Sequence, residues 1–147
     1  MSHHSVTIDR QHGPLVRVLV GVSQPRQAAI LQAGGAVPQP VEAMLLVDTG
    51  ASQTCIDEHL VALLQLQQTG QAKVHTPSTG PLGSLKSTYD IELKLPAIDG
   101  TTHAIPALEI VACDFDAQRI EGLLGRDVLQ QSRLTYSGPD GLFMMSF

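Results

Sequence analysis

The chain has 147 residues, a formal net charge of −5 and 43% hydrophobic residues, with only 3% aromatics and no Trp. That length suits one domain burying roughly two-thirds of its unfolded surface, with a core of Val, Leu, Ile and Ala. Lys and Arg are scattered singly, so no positive face is expected for nucleic-acid phosphates or an anionic membrane, and no apolar run approaches the ~18 residues that span a bilayer.

Residues 1–13 are polar and read as a flexible N-terminal segment ahead of one domain over 14–147. No apolar stretch marks a signal peptide there. Residues 15–22 (LVRVLVGV) are rich in β-branched residues, begin after Gly13-Pro14 and predict a strand. Residues 23–40 carry Pro25, Gly34, Gly35, Pro38 and Pro40 and read as a long loop, with a short turn of helix at 27–32. Residues 41–47 (VEAMLLV) predict a second strand running into Asp48-Thr49-Gly50. Over 57–67 the spacing of Leu60, Leu63, Leu64 and Leu66 predicts a short helix with Asp57 as its N-cap.

Two strands are expected at 71–76 and 84–95, around a tip of Pro77-Ser78-Thr79-Gly80-Pro81-Leu82-Gly83. Strand, Gly/Pro-rich tip and strand make a β-hairpin with an exposed tip. Asp99-Gly100 marks a turn, and strands follow at 103–112 and 120–124. A short helix is expected at 126–131, then a final hairpin from 134–136 and 142–147. Short strands between turns, with two brief helices, give an all-β domain, a small barrel or sandwich.

Cys55 and Cys113 do not make a disulfide framework and read as two reduced thiols, consistent with a cytoplasmic setting. No Cys or His pair has zinc-site spacing, so no metal and no cofactor are expected. Asp57-Glu58-His59 are adjacent on a helix and point in different directions. Ser52 lacks the glycine two residues on that a nucleophile elbow needs. Cys55 reads as a core thiol. His75 and His103 fall on strand faces, and His75, beside the hairpin tip, is a candidate for tuning a pH response.

The chemistry concentrates at Leu45-Leu46-Val47-Asp48-Thr49-Gly50-Ala51-Ser52. A carboxylate directly after three apolar strand residues should be partly desolvated, which raises a carboxyl pKa. Gly50 permits a sharp turn or a close backbone approach, and the Thr49 hydroxyl can brace the loop. A positioned, half-buried carboxylate is what general acid–base chemistry uses. A given tripeptide occurs by chance in about one or two chains in a hundred of this length, so the motif needs support. Support comes from Leu123-Leu124-Gly125-Arg126, two apolar residues and a glycine leading into a short helix, with the Gly-rich hairpin tip between the two motifs.

This order over residues 14–147 resembles the retropepsin family of aspartic proteases, in its stand-alone bacterial form. The resemblance implies a closed β-barrel active as a C2 homodimer, an aspartic endopeptidase acting on peptide or protein substrates. Asp48 would be the catalytic aspartate, opposite Asp48 of a second copy. Thr49 would lock the two active-site loops together, supported by Gly50 and Gly125. Gly50, Ala51 and Ser52 would bind substrate backbone, and Gly80, Pro81, Leu82 and Gly83 would close over it as a flap. Arg126 would stabilise the dimer edge. Ser52 stands where the retroviral enzymes carry an acidic partner for that arginine, leaving Asp127 or Asp57 as candidates. Pro81 stiffens the tip, and Tyr89 lies too far along its strand to act as a flap tyrosine. The rival reading is a non-catalytic dimeric peptide-binding or scaffold module of the same fold, which an intact Asp-Thr-Gly-Ala disfavours.

Overall fold

Alternation along the second strand organises the domain. In β2 (Gly13–Val22), Val16, Val18 and Val20 are buried while Arg17 is exposed, the period-two pattern of a strand with one face on a core. One edge of β2 pairs antiparallel with β3 (Val41–Val47), from Leu15↔Leu46 to Val20↔Val41. Its other edge pairs first with β1 (His3–Asp9) at Asp9↔Gly13, then with β6 (Ser84–Pro96) from Leu19↔Lys94 to Val22↔Ile91. That change of partner closes the sheet. The closed circuit runs β2, β3, β8 (Gly122–Leu124), β4 (Cys55–Asp57), β7 (Thr102–Cys113), β6 and back to β2, a six-strand barrel. Outside it, β5 (Gln68–Val74) extends β6, and β10 (Leu142–Ser146) and β9 (Arg133–Ser137) extend β1. This computed structural model describes residues 3–9, 11–115 and 119–147.

The barrel is filled by Leu45, Ile56, Ile91, Leu93, Leu95, Ile110 and Leu124, all essentially without solvent exposure. Fully burying one such side chain is worth about 1.5–3 kcal/mol. Helix α2 (Glu58–Leu63) seats Leu60 and Val61 on this core. Its N-cap is Asp57, whose carboxylate accepts from the His59 N–H at 2.9 Å, as the sequence predicts. The helix ends four residues before the expected 67, because the chain turns at Gln65 (φ 52°) into β5. Among the described residues no helix is long and apolar enough to cross a membrane.

Three expectations differ from the structure. The stretch 23–40 holds a nine-residue helix, α1 (Gln24–Gln32), instead of a single turn, so the described residues contain three helices. Pro25 sits in its first turn, where a proline costs no hydrogen bond. Gln24 Nε2 anchors the helix to the barrel by donating to the buried carboxylate of Glu92 at 2.7 Å, and Lys94 pairs with the same group at 3.0 Å. Secondly, the polar segment read as flexible contributes β1, paired with β10 from His3↔Ser146 to Thr7↔Leu142. Ladder hydrogen bonds satisfy backbone groups whatever the side chains. Thirdly, the three-residue strand β4 lies where no strand is predicted, and it bridges β7 and β8.

Candidate active site

Asp48 is the first residue beyond β3, and the barrel explains its placement. Its N–H donates to the Leu124 carbonyl at 3.0 Å, continuing the parallel β3/β8 ladder by one step. The chain then reverses: the Ala51 N–H donates to the Asp48 carbonyl at 3.2 Å, and the Gly50 N–H donates to Asp48 Oδ1 at 2.8 Å. The side chain is half-buried, with Thr49 and Gly50 exposed beside it.

A second loop holds the first. Gly125 follows β8 and precedes α3 (Arg126–Leu129), with extended φ and ψ of −91° and −179°. A Cβ on Gly125 would lie 2.6 Å from the Gln53 carbonyl carbon and 2.9 Å from the Thr54 nitrogen, so only glycine lets the two loops touch. Three kinds of hydrogen bond then clamp them. The Arg126 N–H donates to the Ala51 carbonyl at 2.9 Å, and the Arg126 guanidinium donates to the carbonyls of Thr49 at 2.9 Å and Gly50 at 3.2 Å. Asp127 accepts from the Thr54 N–H at 2.9 Å and the Thr54 hydroxyl at 2.7 Å. The Gly125 N–H donates to that same hydroxyl oxygen at 3.1 Å.

The partner of Arg126 is therefore the backbone of the Asp48 loop, and neither Asp127 nor Asp57. Asp127 is engaged by Thr54, while Asp57 takes the His59 ring at 2.8 Å and the Phe115 N–H at 3.0 Å. Carbonyls carry no sequence signal, which is why a carboxylate was sought. Thr54, with no exposed surface, was missed altogether. A threonine six residues past the aspartate reads as an ordinary strand residue until α3 is folded against it.

Asp48 lines a cleft of about 490 Å³ together with Gly50, Ala51 and Ser52. Lys73, Val74, His75, Thr76 and Pro77 of the β5/β6 hairpin form the facing wall, and Val111, Phe115 and Leu123 add apolar surface. The remaining expected residues lie elsewhere. Thr49, Gly125 and Arg126 do not line the cleft, and Gly80, Pro81, Leu82 and Gly83 lie at the outer end of the hairpin, where Leu82 is 78% exposed. Gly83 has φ 66°, and a Cβ there would come within 2.8 Å of the Val74 carbonyl oxygen, so this turn requires glycine. A groove between α2 and β6 is equally large at about 500 Å³ but includes no residue of the Asp48 loop. His103 is far from the cleft and stacks on Phe147 at 4.1 Å.

Two comparisons with known proteins agree with this geometry. Residues 30–128 match the family model described as aspartyl protease. Among solved structures, the chain is similar to a retropepsin-like aspartic protease from Rickettsia conorii, at 12% identity and a TM-score of 0.59 over 97% of this chain and 89% of that one. It also aligns with the EIAV protease complexed with the inhibitor HBY-793, at 18% identity and a TM-score of 0.44 over 86% of this chain and 93% of that one. The first of these carries the fold assignment: the closed barrel is retropepsin-like. A search of curated proteins gave no match.

Proposed function

The chain belongs to the aspartyl protease family, and from that premise we propose that it is an endopeptidase whose carboxylate dyad is made by Asp48 of two copies related by a two-fold axis. Peptide hydrolysis by this route takes one carboxylate to remove a proton from water and one carboxylic acid to polarise the scissile carbonyl. Two carboxyls about 3 Å apart hold one proton between them, so both roles come from an identical pair. The sequence holds a single Asp-Thr-Gly, and a C2 arrangement sets that residue against its own copy.

The observation that carries this reading is the position of Asp48. It lines the cleft, yet it adjoins exposed Thr49 and Gly50, so a second copy can reach it. In this reading Thr49, its carbonyl already tied back to Arg126, offers its hydroxyl across the axis. Gly50, Ala51 and Ser52 bind substrate backbone, and the hairpin carrying Gly80–Gly83 closes as a flap. The Arg126 clamp keeps the loop rigid, so little reorganisation is needed when the dyad forms.

Asp48→Asn keeps the shape and removes the ionisable group. It should abolish cleavage of a denatured protein mixture while leaving the far-UV circular dichroism and melting temperature near wild type. Specific activity of the wild type should fall on dilution as dimers dissociate. Full activity in Asp48→Asn, or activity strictly proportional to enzyme down to nanomolar concentration, would refute the proposal.

A further inference from the structure

The cleft that holds Asp48 also holds both cysteines of the chain. Cys55 on β4 and Cys113 at the end of β7 line it together. They lie on adjacent parallel strands, where Cys55 is level with Val111 and Asp57 with Cys113. Residues two apart on a strand share a face, so Cys113 follows Val111 on the side that Cys55 occupies. Both thiols are reduced. Peptide hydrolysis by carboxylates makes no use of a thiol.

The two sulfurs have different surroundings. Cys55 is 8% exposed, and its thiol donates a hydrogen bond to the Gln53 carbonyl at 3.7 Å. The neighbouring Cys113 thiol, then burial, then the charges of Asp127 and Asp48 push its pKa up. Cys113 is half-buried. The neighbouring Cys55 thiol brings it down to about 7 against the effect of burial; Lys86 on β6 assists, and Glu58 and Asp57 oppose. One thiol is thus the more accessible and the more readily ionised, and the other is buried on the same face of the adjacent strand. That is the arrangement of an attacking and a resolving cysteine.

We propose that Cys55 and Cys113 form an oxidisable dithiol site in the wall of the cleft, which reacts with low-molecular-weight disulfides and closes to an intramolecular bridge. The Cys113 thiolate attacks one sulfur of the small disulfide, forming a mixed disulfide and expelling one small thiolate. Cys55 then loses its proton to solvent and attacks Cys113 Sγ. The second small thiolate leaves and the Cys55–Cys113 bond forms. Two protein thiols are oxidised and one small disulfide is reduced to two thiols. The bond brings the sulfurs to about 2 Å, and because Cys113 lies two residues beyond the level of Cys55, closing it moves β4 and β7 beside the Asp48 loop. A consequence for peptide cleavage rests on the function proposed above; the thiol chemistry does not.

The test is to treat the full chain with oxidised glutathione, quench with acid, and follow intact mass and disulfide-mapped peptides. Wild type should lose two hydrogens and retain no glutathione, with a rate that rises to about pH 7 and then levels. Cys55→Ser, which keeps a hydroxyl donor, should stop with one glutathione on Cys113. Cys113→Ser should react at least about tenfold more slowly, since its remaining thiol is buried and protonated. In denaturant the two variants should react alike, which tests that the fold creates the difference. A stable glutathione adduct on folded wild type, or equal rates for the two folded variants, would overturn the proposal. Full peptide cleavage by the bridged form would overturn the placement of the pair in the substrate path. Absence of cleavage by reduced wild type would refute the peptidase reading alone, with the mass results unaffected.

Discussion

Thr54→Val tests whether the buried hydroxyl, and not the shape of the side chain, holds the two active-site loops together. Valine replaces the hydroxyl by a methyl of similar size, so packing around this fully buried position is nearly conserved. Two interactions go: the 2.7 Å bond to Asp127 Oδ1 and the 3.1 Å bond from the Gly125 N–H. Asp127 still accepts from the backbone N–H groups of Thr54 and Val128, each at 2.9 Å, but the buried Gly125 N–H is left without this partner. An orphaned buried donor costs about 1–3 kcal/mol and a lost bond to a charged acceptor about 1.5–3 kcal/mol. Allowing for relaxation, the variant should lose about 2–4 kcal/mol. Thr54→Ser keeps the hydroxyl and deletes one methyl, for about 1 kcal/mol. Urea unfolding followed by circular dichroism, at one protein concentration so that any association cancels, measures both. With a slope of about 2 kcal/mol per molar, Thr54→Val should move the midpoint down by about 1–2 M. A valine variant within about 0.5 kcal/mol of wild type, or one more stable than the serine variant, would show that the hydroxyl network is not what joins the loops.

Other changes probe the same assembly. Gly125→Ala drives a methyl against the backbone of Gln53 and Thr54; it should cost about 1–3 kcal/mol in the same assay and displace the Asp48 loop, with peptide cleavage lost before the fold is. Arg126→Ala removes an exposed guanidinium from two carbonyls, so stability should change by less than about 1 kcal/mol while kcat/KM falls tenfold or more; unchanged cleavage would deny the clamp its role. Asp57 supplies a pH dependence. Burial pushes its carboxyl up, but hydrogen bonds accepted from the His59 N–H, the His59 ring and the Phe115 N–H outweigh burial and leave it below the ordinary value. A depressed folded pKa stabilises above the unfolded value of about 3.9, and that stabilisation disappears as pH falls through the lower folded value. The gap in urea midpoint between wild type and Asp57→Asn should therefore be constant above pH ~5 and shrink on acidification; a gap that widens would reverse the assignment.

Local physics made much of the fold readable. The strand at 41–47 matches β3 residue for residue, because an apolar run ends at a carboxylate and a glycine. The hairpin of β5 and β6 was marked by its Pro/Gly tip, and α2 by a capping aspartate. Signals of that kind fail where an element has no apolar face. Helix α1 buries no residue, so it carries no periodicity to read, and its proline suggests a break where the structure has a first turn. Strand β1 is polar, and its pairing partner, β10, lies more than a hundred residues away. The three residues of β4 are too few to show a pattern.

Beside the family resemblance that pairs the Asp48 motif with Leu123-Leu124-Gly125-Arg126, the sequence by itself determined the all-β class and the position of Asp48 after a buried strand. These follow from interactions within a few residues, where side-chain period and backbone freedom decide the outcome. Only the tertiary structure decided that Arg126 holds carbonyls and not a carboxylate, that Thr54 and Asp127 join the loops, and that Cys55 and Cys113 line one cleft with Asp48. Each of those arrangements unites groups 58 to 77 positions apart, and chain distance of that order leaves no imprint on local composition. Closing the barrel brings them together.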